Sequence, residues 1–492
     1  MIDDQHIIQK QILEFEFPKE EMGLDWQQSA SDLYYRKILP RLEEVFSQYG
    51  SGDHFIRIDR LDIDLGELEM NSWETQLLER LSTKAKEALN EIATYKENAS
   101  VEVQPQHHTV WETFLFFLER GYFPWWQAEG QSVKAWERVL LETFDSQWPN
   151  LKQLLQKNTN TAERMVYHCS KEWVARCLIQ LEKEVPEKAK SLWKVIKRLD
   201  PGLRSANAEK RTRILQIVCL LQGGAIEKTA QYWISTFEED KRKVILEEIE
   251  DISSETRHKS HHVIFKNIKE NLLTIAKKSS ITSESPMQSF GALSKDENVH
   301  ANGPDFQKQL LNGLVSEPKS VNSLEEEVIY IQNAGLILLH PFLPAYFREL
   351  GLVEKGQFKG KEAQKRAILL LHFAGYGNHK PEENLLVFNK LLCGLNIEET
   401  VNPDLQLLVS EVEETEKLLH SVINNWSILG NTSIESLRHS FILRLGKLSN
   451  RGDNWHLVVE SSSKDILLQK LPWGIAKVKL PWNSHLLSLN WN

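Results

Sequence analysis

Apolar residues change their spacing several times along the chain, and each change marks a candidate element. From Ile7 to Phe17 the spacing settles into period two. Leu13, Phe15 and Phe17 stand on one side, Glu14 and Glu16 on the other. That is the pattern of a half-buried strand, and Pro18 ends it. Over residues 28–48 the period lengthens: Leu33, Ile38, Leu42, Val45 and Phe46 predict a helix. Phe55 to Gly66 returns to alternation. Ile56 and Ile58 come first, then Leu61, Ile63 and Leu65 after a slip of one residue. A slip puts apolar residues on the wrong face unless the strand bulges, here near Arg60. Trp73, Leu77, Leu78, Leu81, Ala85 and Ala88 then form one stripe of a helix over 71–95. The polar stretch up to His108 reads as a linker.

Residues 109–275 read as nearly all helix, opening with Val110, Trp111, Phe114, Leu115 and Leu118. Gly121-Tyr-Phe-Pro-Trp-Trp126 is a turn that a helix cannot cross. Helical runs follow over 131–145, 149–157, 161–183, 187–198, 207–222, 227–237 and 240–252. No fixed repeat period links them, which argues against a solenoid. Residues 276–326 are rich in Ser, Asn, Lys, Gly and Pro and hold too few apolar residues for a core. From Val328 to Phe347 an apolar helix pair is expected around Pro341. Further helices are expected over 361–374, 381–393, 408–428 and 432–446, the last capped by Ser/Thr and ended by Gly446. Trp455–Val459, Ile475–Leu480 and Leu486–Trp491 read as strands, with a short helix at Asp465–Leu468.

The expected fold is mainly α with small α/β portions at both ends. It divides into an acidic small α/β domain (1–104), a helical domain (109–275), a flexible linker (276–326) and a helical domain ending in a small β-sheet (327–492). The stretch Leu471–Asn492 holds Leu-Pro-Trp twice and a third tryptophan, Trp491. Termini usually carry small polar residues. This one is expected to be packed, with its three Trp residues in the core of the small sheet.

Charge changes the picture only at the N-terminal end. The net charge is -10, and residues 1–104 hold 11 Lys+Arg against 22 Asp+Glu, which leaves the remainder nearly neutral. An acidic face repels nucleic acid and suits solubility or a basic protein partner. No apolar run reaches the roughly 18 residues that span a bilayer, and the acidic opening is unlike a secretory signal. The four cysteines are scattered without a C-x-x-C pair, which reads as reduced thiols in a cytoplasmic protein.

Candidate chemistry is sparse. His340 and His372 lie in apolar helical surroundings with no third ligand at a metal spacing. His107-His108 and His261-His262 are adjacent pairs, whose side chains diverge on a helix. Cys393 before Gly394 sits where a helix end can activate a thiol, but Leu-Leu-Cys-Gly-Leu reads as a buried cap. Asp59, Asp62 and Asp64 resemble a cation cluster less than a solvated acidic face. Trp473 and Trp482 flank Lys477 and Lys479, a weak echo of a stacking platform for single strands. No phosphate-binding loop, dinucleotide fingerprint, nucleophile elbow or zinc-protease motif is present. Catalytic, cofactor-binding and metal residues are therefore expected to be none.

Four blocks carry a resemblance. The first is Ile7–Phe17 with Arg57-Ile-Asp-Arg-Leu-Asp-Ile-Asp-Leu-Gly66. The second is Phe117-Leu-Glu-Arg-Gly-Tyr-Phe-Pro-Trp125. The third is Asn333–Leu343 with Arg366–Phe373, Pro381-Glu382 and Lys390–Gly394. The fourth is Leu437-Arg438, Phe441–Gly446 and the twin Leu-Pro-Trp ending. In this order they resemble the tape measure proteins of extracellular contractile injection systems, phage-tail-like particles of bacteria. The resemblance implies a non-enzymatic assembly role in setting tube and sheath length. It implies the baseplate hub, inner tube and terminator cap as partners, with no nucleic acid, membrane or small-molecule substrate. It implies assembly in the bacterial cytoplasm, with the particle tube as destination. One continuous helix of this length would span about 740 Å, but Pro, Gly and Trp-rich turns interrupt the helices. The alternative is a compact scaffold or chaperone absent from the mature particle.

Overall fold

In a computed structural model the described residues are 8, 11–14, 33–49, 54–58, 60–69, 72–94, 101–127, 132–200, 208–223, 225, 228–229, 232–233, 236, 328–451 and 454–491. The fold is mainly helical with a small sheet near the C-terminus, as expected. It divides into two compact units. One comprises Met1–Trp173, Glu349–Glu354 and Phe358–Thr415; the other comprises Val174–Arg348, Lys355–Gln357 and Glu416–Asn492. The stretch 276–326, the expected linker, lies outside the described residues, as do the expected helix over 240–252 and most of that over 227–237.

In the first unit, a π-helical turn at Tyr34–Ile38 leads into an α-helix at Leu39–Phe46. Leu33, Ile38, Leu42 and Val45 pack against Leu77, Leu81, Ala85 and Leu89 of the Trp73–Thr94 helix. The second set recurs every four residues, so one stripe enters the core. The expected strand over 55–66 is shorter: β1 is His54–Ile58. Leu61, Ile63 and Leu65 still alternate in burial with Asp62 and Asp64, but they join no strand. Their backbone is served by a side chain instead. Arg80 of the neighbouring helix donates to the Leu65 carbonyl at 3.0 Å and the Glu67 carbonyl at 2.6 Å. The partner of β1 is Val101–Pro105 (β2), inside the stretch expected to be a linker, with Ile58 opposite Val101 and His54 opposite Pro105. Pro105 takes the strand end, where a missing N–H costs least. Of the expected strand Ile7–Phe17, Ile8 and residues 11–14 belong to no strand, and the rest lies outside the described residues.

The helices Gln106–Arg120, Val133–Glu142, Phe144–Lys157 and Thr159–His168 follow. The run expected over 161–183 is broken. Cys169 ends one helix, the Glu137 carboxylate takes the Ser170 N–H at 2.5 Å, and the Ser170 hydroxyl accepts from Trp173 N at 3.2 Å to start the next, Lys171–Glu184. Trp111, Phe114, Phe144 and Trp173 form the aromatic centre, with ring centroids 5.3–5.7 Å apart. Most of these contacts are edge-to-face, the preferred geometry for ring quadrupoles.

In the second unit, Glu187–Leu199 and Glu209–Leu221 are helical. Buried Asp200 between them accepts from Arg211 Nη2 at 2.7 Å and from the Trp233 indole at 2.6 Å. Val328–Phe347 is not a helix pair. Val328–Ile331 is a strand (β3), Ala334–Leu339 a 3₁₀ segment, and an α-helix begins at Leu343. The reason is close approach. A Cβ on Gly335 would lie 1.6 Å from the Phe441 carbonyl oxygen, so two backbones touch where only glycine fits. Two-residue strands stand at Val353–Glu354 (β4), which belongs to the first unit, and at Gln357–Phe358 (β5), of which Gln357 belongs to the second unit and Phe358 to the first. The helix expected over 432–446 lasts only from Ile434, capped by the Ser433 hydroxyl, through a π-turn ending at Ile442. Gly446 opens a strand instead, Gly446–Arg451 (β6).

With Asn454–Val459 (β7), Lys477–Val478 (β8) and Leu487–Asn490 (β9), the sheet runs β3-β6-β7-β9-β8. β7 and β9 are parallel; the other pairs are antiparallel. Its buried face carries Ile329, Ile331, Leu448, Leu457, Val459 and Leu487. Of the three tryptophans of the final stretch Trp482 is buried, whereas Trp473 and Trp491 are half-buried. Trp473 meets Phe342 edge-on at 5.2 Å and Trp482 meets Phe347 at 5.5 Å, so both strap the stretch to the 342–347 segment. Arg444 sits 5.6 Å from the Trp491 ring centroid and pairs with Asp465 at 2.7 and 3.1 Å.

Two substitutions test this packing. Trp482→Ala is expected to cost about 3–5 kcal/mol, the range for a buried aromatic, in denaturant unfolding. Gly335→Ala is expected to lower the melting temperature further still, because a backbone carbonyl rather than a flexible side chain must move.

Candidate functional site

The residues singled out for chemistry are mostly absorbed into packing. Cys393 is fully buried, and burial pushes its thiol well above its ordinary value of 9.0, the opposite of an activated nucleophile. His372 is buried too. Its Nε2 lies 3.0 Å from Asn378 Oδ1, and its ring stacks on Tyr376 with centroids 4.7 Å apart. Burial lowers its pKa to about 4, with the Asn378 hydrogen bond opposing, so the imidazole is neutral. His340 places Nδ1 3.0 Å from the Ile337 carbonyl, and burial lowers its pKa as well. These two histidines sit in different compact units. Asp62 pairs with Arg60 at 2.9 Å, and Asp64 Oδ1 accepts from Gly66 N at 2.9 Å in a local turn. Asp59, His261 and His262 lie outside the described residues. His107 and His108 fall in the first turn of the Gln106–Arg120 helix. Among the described residues no three His, Cys, Asp or Glu side chains group as a metal site.

The concentrated polar chemistry lies elsewhere, in the first unit, around Glu383. This carboxylate is fully buried, as are Arg164 and Lys390. Lys390 Nζ donates to Glu383 Oε1 at 2.5 Å and to the Ile397 carbonyl at 3.1 Å. The other carboxylate oxygen accepts from Val401 N at 3.4 Å and lies 3.5 Å from His168 Nε2. Arg164 Nε stands 3.9 Å from Glu383, while its two terminal nitrogens donate to the Leu118 and Glu398 carbonyls.

Local structure places each of these groups. Leu118 is in the last turn of the Gln106–Arg120 helix, whose carbonyls point outward without helical partners and favour a cation. Gly121 closes that helix at φ +85°, its N–H bonded to the Phe117 carbonyl at 2.8 Å. A Cβ there would sit 2.9 Å from Arg164 Nη2, so the glycine supplies both the left-handed turn and the room for the guanidinium. Lys390 is on the Val387–Leu392 helix and Glu383 opens the 3₁₀ segment before it, seven residues earlier.

The electrostatics follow from burial. Removal from water raises a carboxyl's pKa, yet Lys390, His168 and Arg164 together override it and hold Glu383 at about 2. Burial pushes Lys390 down, against the pull of Glu383. One anion faces two cations here, and the excess positive charge rests on three backbone carbonyls. Such a cluster binds segments together; nothing in it offers a free nucleophile or an open coordination position.

The residue patterns did not flag this cluster. Lys390 within the apolar run Leu385–Leu395 was the one available signal, since a lysine there must find a partner. Arg366, in the third resembling block, is likewise paired: Nε meets Glu411 Oε1 at 2.7 Å, and Glu411 Oε2 accepts from Leu408 N at 2.7 Å.

Comparison with known proteins agrees with the resemblance. The chain matches the contractile injection system tape measure protein family over residues 5–491. It belongs to that family, a structural and non-catalytic one whose role is to determine length in an injection particle. No curated protein and no solved structure matches it. No helix among the described residues is long and apolar enough to cross a membrane.

The cluster makes a pH prediction. Glu383 titrates near 2 in the fold against an ordinary 4.5. Its contribution is fully present above pH 4.5 and is lost as pH falls toward 2, about 3 kcal/mol in all. His372, about 4 against 6.5, contributes stability that is present above 6.5 and lost as pH falls toward 4. Urea unfolding from pH 7 to 3 is expected to show both losses. In Glu383→Gln the lower one is expected to vanish, while stability at pH 7 drops by about 3–5 kcal/mol because Lys390 and Arg164 stay buried without their anion.

Proposed function

We propose that this chain is a non-enzymatic assembly protein that helps to set tube and sheath length while a contractile injection particle is built. The observation that carries this reading is the family match over nearly the whole chain. The partners are then the baseplate hub, the inner tube and the terminator cap. Assembly takes place in the bacterial cytoplasm, with the tube interior as destination. Residues 276–326 serve as the connector between a helical domain (109–275) and a C-terminal domain (327–492). The acidic N-terminal segment and the Trp-rich C-terminal stretch differ enough to engage different components.

A second reading has one specific observation in its favour. The longest helix among the described residues is Trp73–Thr94, 22 residues, about 33 Å long. Short helices folded into buried cores suit a compact scaffold or chaperone that leaves before the particle is complete. The two readings share the role in assembly and differ in whether the chain rearranges to thread the tube.

Electron microscopy of negatively stained particles from a deletion strain tests the shared role. Particles of wrong or variable length are expected, and normal length would defeat it. Insertions into 276–326 separate the readings: a threaded ruler lengthens the tube in proportion to the insertion, whereas a departing scaffold leaves it unchanged. Mass spectrometry of purified particles checks the same point, since only the threaded form remains in them at fixed stoichiometry.

A further inference from the structure

Single exposed apolar side chains are ordinary on a folded surface, but a cluster of them marks an interaction site. One such cluster lies in the first unit, where the chain enters the Val409–Asn425 helix. Leu405, Leu408 and Val409 are 36%, 60% and 76% exposed. Val412, half-buried, stands three residues beyond Val409 and so on the same helix face.

Helix stability does not call for leucine at 408. The residue just before a helix favours Ser, Thr, Asp or Asn, whose oxygen accepts from the first N–H groups, and leucine has no acceptor. The local backbone is fixed by other means. The Glu411 carboxylate reaches back to accept from Leu408 N at 2.7 Å. Arg366 clamps the same carboxylate, Nε to Oε1 at 2.7 Å, and Glu411 is only 8% exposed. The Leu408 carbonyl in turn accepts from Glu411 N and Val412 N, each at 3.1 Å. The apolar side chains are thus presented on a backbone already in place, so a partner that binds them orders little new chain.

Charge selects the partner. Residues 396–415 hold six Asp+Glu and no Lys or Arg. Arg120, Lys361 and Arg366 match Glu398, Glu399 and Glu411, whereas Asp404 and Glu413, either side of the apolar cluster in sequence, are exposed. An acidic rim repels nucleic acid and anionic lipid, and the same patch on a second copy would bring like charges together. A basic partner is attracted. We infer that Leu405, Leu408 and Val409 bind a basic amphipathic segment of another protein. Its apolar face covers the three side chains, and its Lys or Arg residues meet Asp404 and Glu413. Apolar contact supplies the affinity; the charged rim supplies orientation and a faster encounter. The inference rests on this surface alone and on neither reading of the length-determining role.

Peptide binding to the full chain tests it. The probe is a fluorescent peptide of leucine and lysine, about 18 residues or five helical turns long, with its leucines on one face. One control disperses the leucines at the same composition; the other replaces lysine with glutamate. In fluorescence anisotropy the patterned lysine peptide is expected to bind at least about tenfold tighter than either control. Leu408→Ser is expected to abolish that preference while the melting temperature stays unchanged or rises, because serine supplies the missing cap. Val409→Ser, at the most exposed position, is expected to give the same loss without involving the cap. Equal binding of the three peptides, or an unchanged preference in both variants, overturns the inference. Val409→Cys checks access. Its thiol is expected to react with a maleimide above the background of the four native cysteines, and to be protected by the patterned peptide. An unreactive thiol in the free chain means that the patch is already covered, and overturns the inference. Two other occupants would do so as well: a second copy, seen as self-association lost in Leu408→Ser, or a membrane, seen as flotation with anionic vesicles lost in the same variant.

Discussion

The carboxylate of Glu383 has to remain ionised where water cannot reach it, and much of the first unit is arranged to meet that demand. An isolated buried carboxylate would take up a proton. Lys390 prevents this from the same stretch of chain, seven residues on. Arg164 approaches from a helix far away in sequence, and its other bond, to the Glu398 carbonyl, spans 234 residues. The Gln106–Arg120 helix stops at Gly121 and leaves a bare turn against the Arg164 guanidinium, where a Cβ would lie 2.9 Å from Nη2. The Gly-Tyr-Phe-Pro-Trp turn and the Lys-Leu-Leu-Cys-Gly block are thus two halves of one joint.

Much of the helical architecture was legible because its burial is one-sided. Leu77, Leu81 and Ala85 of the expected stripe, and Trp111, Phe114 and Leu118 of the next helix, enter the core at helical spacing. Val328–Phe347 was misread because it is apolar on every side, and a run of that kind has no period to distinguish strand from helix. What decided its form was a contact with Phe441, more than a hundred residues downstream, which demands glycine at 335. Residues 60–69 failed in the opposite way. Their alternation is genuine and their burial follows it, but Arg80 serves two of their carbonyls and no strand pairs with them. Alternation reports which face is buried, not which group accepts the hydrogen bond.

The chemical candidates were drawn from residue types that catalyse when exposed, and burial gave them another role. Burial keeps the Cys393 thiol protonated and the His372 imidazole neutral. The Glu383 cluster escaped notice because its members are common residues on three separate segments. Only the apolar setting of Lys390 pointed to it, and that setting names no partner. A buried ionic joint is therefore the kind of feature that one sequence conceals most completely.

The energetics of that joint bear on how a folded chain can belong to a family of rulers. Removing one member leaves the others buried and uncompensated, which is expensive. Separating all of them together is another matter. Each ion then recovers its hydration, worth several kcal/mol per ion, against the attraction that is lost. The aromatic centre around Trp111 and Trp173 recovers nothing comparable when exposed, since its stabilisation comes from leaving water. The joint at Glu383 is thus held firmly against partial change and weakly against complete opening.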